Sequence, residues 1–308
     1  MSRSMLLTLS FSLSFLISTL SGQEANPLKI QADSLLQAGD VAECIPLYRQ
    51  VLDSEPENQS TSYNLACAYA LSWKRDSAFH FLNLALERDT SVRALTDPDL
   101  LGLTADERWA AIEDAQVAKV EAKYGAYPNQ ELARELWRMS MKDQAYYYHI
   151  KVAEKKIGRG SPVVWALWDL KEKLNEENVR RLEEIIAEHG WPKESEVKGS
   201  AAQAAFLIIQ HADLEKQKKY VGLLKAACEQ GEADWSGYAL MYDRIEMREG
   251  RPQLYGSQVR FNKDSQQYEP HEILDPEYVN KRRKEVGLGP IEDYLSRWDI
   301  KWDVEQRE

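Results

Sequence analysis

Apolar positions along this chain change their period more than once. Residues 5–20 form an uncharged run rich in Leu and Phe and diluted by Ser, with Arg3 before it and Ser21 and Gly22 after it. A positive start, an apolar stretch and small closing residues predict a cleaved secretory signal over 1–22, with Gly22 or Gln23 as the new start. The run is shorter than the roughly 20 residues that a membrane-spanning helix needs. Beyond it, apolar positions take helical spacing, and over 25–92 they repeat with a period of about 34 residues. The first unit sets Ala32, Leu35, Gly39, Cys44, Tyr48, Val51 and Pro56. In the second, Ala66 matches Ala32, Tyr69 matches Leu35, Ala78 matches Cys44 and Ala85 matches Val51. Small residues at matched places let antiparallel helices cross closely, and Gly39 and Pro56 end helices. A further half-unit is expected through residues 97–100 and a helix over 105–123, with Trp109 in its core.

Residues 124–128, which hold Gly125 and Pro128, are a candidate boundary. Seven of the nine Trp follow residue 128, so a separate core is expected there. The pattern predicts helices over 130–156, 162–173, 176–189, 199–212, 214–230 and 234–248. A small β-hairpin is expected around residues 262–265, then a helix over 275–286, a short helix and a loose acidic tail. The Gly190-Trp191-Pro192 stop closes the third of these helices. The fold class is therefore mainly α, with one small β-hairpin near the C-terminus.

Polar groups break the apolar stripes in four places. Asp143, with Gln144 beside it, falls in the stripe of Leu132, Leu136, Met139, Tyr146 and Ile150. Residues 199–212 contain no Asp, Glu, Lys or Arg, yet Gln203, Gln210 and His211 lie among them, with Asp213 just after. Asp243 and Arg244 stand at the edge of an inner face made by Trp235, Tyr238, Ala239, Tyr242 and Ile245. Gln253, Tyr255, Ser257 and Gln258 crowd one short segment. Buried polar groups cost several kcal/mol unless paired, so these clusters are expected to meet. Trp191 is read as a core residue or the wall of a pocket.

Charge and cysteine content narrow the classes. With 39 Lys and Arg against 50 Asp and Glu, the formal net charge is −11, which argues against general binding to nucleic acid or anionic membrane. The basic run 281–284 is expected to be a solvated helix face, with anion contact as its alternative. Three cysteines are too few for a disulfide framework. A Cys44–Cys67 bridge and buried free thiols are both open, and Cys228 does not read as a nucleophile. No Cys precedes Cys44, so a lipid-modified start is not expected. No phosphate-cradling loop, dinucleotide fingerprint, His-x-x-x-His pair or paired-Cys motif occurs, so no cofactor and no metal site are expected. His211 with Asp143, Asp213 or Asp243 offers ligand types, but at spacings that are not diagnostic.

Two resemblances follow from these residues. The period-34 pattern resembles tetratricopeptide repeats, which implies a helical solenoid with a face that docks peptides or partner proteins. Asp143-Gln144, Gly190-Trp191-Pro192, the 210–213 segment, Asp243-Arg244, the 253–258 segment and Gly287-Leu288, in that order, resemble an uncharacterised bacterial domain-of-unknown-function family. Thr often stands there in place of Ser257, and some members carry repeats in front. That resemblance implies no activity, cofactor or catalytic residue. The expected organisation is a signal peptide over 1–22, tetratricopeptide-like hairpins over 23–125 and a helical domain over 126–308, in a secreted or periplasmic protein without a stable membrane span after signal cleavage.

Three readings stay open. As a hydrolase or group transferase, the protein would use His211 as general acid or base. Asp143 or Asp243 would orient its ring, and Arg244 would hold an anionic group. As a ligand-recognition module or adaptor, it would use Gln144, Trp191, Gln210, Gln253, Tyr255, Ser257 and Gln258 as a neutral hydrogen-bonding and stacking set. Ser257 doubles as a weak nucleophile candidate. As a structural network, Asp143, His211 and Arg244 would satisfy one another.

Overall fold

The computed structural model of the chain describes residues 26–307, so the signal expected over 1–22 lies outside the described residues. Those residues are mainly α, with fifteen α-helices and one two-stranded antiparallel sheet. The chain divides into two compact units, and neither is a single stretch. The first runs up to Tyr127 and takes in Trp137–Asn175; the second takes Pro128–Leu136 and the chain from Glu176 onward.

In the first unit, α1 (Pro27–Gln37), α2 (Val41–Ser54), α3 (Gln59–Leu71) and α4 (Arg75–Leu86) pack on one another in sequence order. Asn26 caps α1 by accepting from the Leu28 N–H, and Asn58 caps α3 by accepting from the Thr61 N–H at 3.0 Å. Ala32, Cys44, Ala66, Ala78 and Ala85 are all buried, as the close crossing of paired helices requires. Gly39 turns α1 into α2 at φ +73°, and a Cβ there would sit 2.6 Å from Val152 Cγ1. Both the angle and the space demand glycine. A short α5 (Arg93–Thr96) and a 3-10 turn over Pro98–Leu103 lead to α6 (Arg108–Tyr124), where Trp109 is buried.

Next come α7 (Gln130–Gln144), α8 (Tyr147–Ile157) and α9 (Pro162–His189). The single helix expected over 130–156 is thus two, because Tyr146 adopts the left-handed conformation at φ +67°. The two helices expected over 162–173 and 176–189 are one. Asn175 does not break it, because its side chain accepts from Lys171 Nζ one turn earlier and does not compete for backbone.

The second unit adds α10 (Glu194–Val197), α11 (Gly199–His211), α12 (Leu214–Glu229) and α13 (Trp235–Arg248). Asp213 and Asp234 are N-caps of the last two, accepting from Lys216 and Ser236 N–H groups. Strands β1 (Val259–Asn262) and β2 (Gln267–Pro270) pair in register Val259 to Pro270. Helices α14 (Val279–Glu285) and α15 (Ile291–Leu295) then close a small core of Val259, Ile273, Val279, Ile291 and Leu295. The C-terminal residues are not a loose tail: Trp298, Ile300 and Trp302 pack against that core, and the Arg307 N–H donates to the Glu277 carbonyl. Gln203, expected inside, is exposed on α11.

Cys44, Cys67 and Cys228 are free and buried, so no Cys44–Cys67 bridge forms. Burial pushes the Cys44 and Cys228 thiols up to about 11, which leaves them protonated and unreactive at neutral pH. No described helix is long and apolar enough to cross a membrane.

Candidate functional site

Nine of the eleven residues singled out above fall in the second unit, and seven of these form one polar network. Its centre is Asp243 on α13, which is fully buried. The chain reverses at Gly250 and wraps residues 253–258 around this carboxylate. Asp243 accepts from the backbone N–H groups of Leu254 at 2.8 Å, Tyr255 at 3.0 Å and Ser257 at 2.9 Å. Burial pushes the carboxyl above its ordinary range, and the Ser257 and Tyr255 amides, the Ser257 hydroxyl and the Leu254 amide pull against that rise. The wrap needs Gly256 at φ +68°, where a Cβ would lie 2.4 Å from Ile291 Cδ1.

Arg244 points the other way, toward the end of α11. Its Nη1 donates to the Gln210 carbonyl at 3.0 Å, and its Nε lies 3.5 Å from Gln258 Oε1. Gln217 Nε2 also donates to the Gln210 carbonyl, at 2.8 Å, and Arg248 Nη1 reaches the Ala212 carbonyl at 3.3 Å. The last carbonyls of a helix have no partners of their own, and here buried side chains from α12 and α13 supply them. The Gln210 side-chain oxygen is buried without a partner.

The two glutamines close the loop on itself. Gln253 Nε2 donates to the Gln258 and His271 carbonyls at 3.0 and 2.9 Å, while its Oε1 accepts from the Gln258 N–H at 2.8 Å. Gln258 Nε2 donates to Ser257 Oγ at 2.9 Å and to the Leu240 carbonyl at 3.3 Å. Tyr255 sets its ring edge-on to Tyr238 and Tyr242. Asp243 makes no hydrogen bond to His211. That residue is half-buried in the last turn of α11. Trp191 is buried in the turn after α9, and no hydrogen bond or ring contact among the described residues joins it to the network.

Several residues that hold the network carried no signal in the apolar pattern. Within the basic run 281–284, Arg282 Nε donates to the Leu254 carbonyl at 2.8 Å. Arg283 is buried, donates to the Tyr255 and Gly289 carbonyls at 2.6 Å each, and stacks over Tyr294. Half of that run thus turns inward, where a solvated face was expected, because the loop carbonyls need donors. Tyr294 Oη donates to the Ser257 carbonyl at 2.7 Å.

Asp143 and Gln144 belong to the first unit. Asp143 is buried, and Gln144 Nε2 donates to its Oδ2 at 2.6 Å. The cation beside it is Lys171 of α9, itself 1% exposed. Lys171 Nζ donates to the Asp143 backbone carbonyl and, at 2.5 Å, to Asn175 Oδ1, and lies 4.2 Å from the Tyr147 ring centre. Burial pulls this amine down to about 8, against the raising field of Asp143. The first unit also carries a surface groove of about 270 Å³ between α4 and α6. Phe79, Leu86, Ala111, Ile112 and Ala115 make it largely apolar. Arg108 lies across the Phe79 ring at 4.2 Å, and Lys119 Nζ donates to the Leu86 carbonyl at 2.6 Å.

No curated protein and no solved structure is significantly similar to the chain. The sequence profile of one family does match, over residues 130–304, a span that holds every residue of both polar clusters. The chain therefore belongs to DUF6624, a family of unknown function.

Proposed function

We propose that this is an exported, non-catalytic recognition protein, secreted or periplasmic, whose tetratricopeptide-like hairpins over 23–125 bind a peptide segment of a partner. The observation that carries the reading is the α4–α6 groove of about 270 Å³, where Phe79, Leu86, Ala111, Ile112 and Ala115 lie beside Asn83, Arg108, Gln116 and Lys119. Such a groove suits an apolar side chain, while Arg108 stays bonded to Asp76 and Asp106 and Lys119 to the Leu86 carbonyl. Its competitor, a catalytic centre at the polar network, is weakened by how Asp243 and Arg244 are used. Asp243 accepts from three backbone N–H groups of its own unit, and Arg244 Nη1 donates to a helix-end carbonyl there.

The test is a selection of random displayed peptides on the chain lacking residues 1–22. Affinities of the selected peptides are then read by fluorescence anisotropy. Ala111→Trp and Ala115→Trp, both at exposed positions on α6, fill the groove and should weaken binding at least ~tenfold with melting unchanged. His211→Gln should leave binding intact. Failure to enrich any peptide, or binding indifferent to the two Trp variants, defeats the reading.

A further inference from the structure

A second cluster in the first unit is not used by the peptide-binding reading. Cys67 lies on the inner side of α3, and the 3-10 turn over Pro98–Leu103 packs on that helix. The packing brings Asp97 and Asp99 to the thiol, so that one ligand atom from each of the three residues lies within 4.8 Å of the other two. The three donors are not equally occupied. Asp97 is a working cap: its Oδ1 accepts from the Asp99 N–H at 3.0 Å and its Oδ2 from Tyr63 Oη at 2.7 Å. Each of those oxygens keeps a second lone pair.

Cys67 and Asp99 have no such employment. The thiol is 97% buried, being 3% exposed, and has no hydrogen-bond partner among the described residues. The Asp99 carboxylate has neither a hydrogen-bond donor nor an ion pair there, although it is half-buried beside a second carboxylate. Arg93 is the cation that faces the group. It is stacked 4.0 Å above the Tyr63 ring and makes no ion pair with either aspartate. The charge of Arg93 acts on both the thiol and Asp99, yet two crowded carboxylates and a buried thiol share that one cation without a direct ion pair. One soft and two hard donors within 4.8 Å of one another are donor types that zinc-type ions take, with a small closing movement and a water completing a tetrahedron. Asp97 and Asp99 are both part-exposed, which gives an ion a way in from the carboxylate side, with the sulfur at the bottom.

We propose that Cys67, Asp97 and Asp99 form a binding site for a thiophilic divalent cation of the zinc class. The ion would tie α3 to the turn that leads into α6. On binding, the Cys67 S–H bond breaks, its proton passes to solvent, and the sulfur lone pair forms the bond to the metal. No electron is transferred. The site is separate from the α4–α6 groove, so the proposal stands whether or not that groove binds peptides.

The experiment uses the chain lacking residues 1–22, stripped with chelator and titrated with Co²⁺, then with Zn²⁺. The expected result is saturation at a single equivalent, with a thiolate-to-cobalt charge-transfer band in the near ultraviolet that Zn²⁺ abolishes. Cys67→Ala should lack that band. Asp99→Asn, nearly the same shape and expected to fold if the first variant does not, should weaken cobalt at least ~tenfold. Saturating Zn²⁺ should raise the melting temperature of the wild type and not of either variant. Cobalt uptake without the thiolate band, uptake unchanged in both variants, or no uptake by the wild type overturns the proposal.

Discussion

Each compact unit buries a charged side chain almost completely, and the two solve the problem in opposite ways. Asp243 is surrounded by backbone: three N–H groups of one loop converge on its two oxygens. Lys171 is surrounded by acceptors of mixed quality, one helix-end carbonyl, one amide oxygen and an aromatic face. A carboxylate ringed by amides acts as the post around which a loop folds. A buried ammonium with only two oxygen partners is left short of solvation, and its proton becomes easier to lose. The first arrangement makes structure and the second makes a titratable group, although both residues stand in helices and both are invisible to solvent.

Substitution at Asp243 should break this contrast most sharply. Asp243→Asn keeps the volume but turns an NH₂ toward backbone N–H groups that need acceptors. The loss should be about 4 kcal/mol, the scale of leaving more than one buried N–H group without its acceptor, read as a lowered urea midpoint. Near-UV circular dichroism should change with it, because Tyr255 sits on the loop against Tyr238 and Tyr242. A variant as stable as wild type would show that residues 253–258 hold their shape without the carboxylate.

Lys171 should give a pH dependence, not a fixed loss. Its folded value of about 8 lies below the ordinary 10.5, so between these values the unfolded chain binds more protons than the folded one. Stability from this group is therefore fully present above about pH 10.5 and falls as pH drops through about 8. The span corresponds to about 3 kcal/mol. Lys171→Met removes this slope. The difference in unfolding free energy, wild type minus variant, should rise across pH 8 to 10.5, with the contributions of other groups cancelling. A flat difference would mean that the amine is as well solvated inside as outside.

The sequence shows where polarity is out of place better than it shows what the polarity is for. Gln210, Asp243, Gln253 and Gln258 stand out because their neighbours are apolar, and they do meet. That Asp243 serves loop amides depends on a chain reversal at Gly250 and a Gly256 that only tertiary packing against Ile291 explains. Lys171 hides in a charged run, yet a trace of it exists: Val164, Lys171, Asn178 and Ile185 recur every seven residues and are all buried. A lysine in that stripe is the same kind of misfit as Asp143. Arg283 has no comparable trace, since a basic run on a short helix reads as solvated until its carbonyl partners are known. Cys67 and Asp99 are thirty-two positions apart, with nothing in their spacing to connect them. The break at Tyr146 was equally hidden, because a left-handed tyrosine is a response to packing and not a local preference.

The smallest expected effect asks whether the Asp243 loop behaves as one unit. Tyr294 Oη donates to the Ser257 carbonyl, on the residue whose N–H Asp243 accepts. Tyr294→Phe removes that donor and leaves the ring packed against Trp298 and beneath Arg283. The single substitution should cost about 1 kcal/mol, the net worth of one hydrogen bond. Combined with Asp243→Asn, it should cost less than the sum of the two, because a loop already released from its carboxylate no longer presents the Ser257 carbonyl at bonding distance. The coupling is read from urea unfolding of the four proteins in the cycle. Strict additivity would mean that the tyrosine holds Ser257 independently, and that the carboxylate anchors only the first half of the loop.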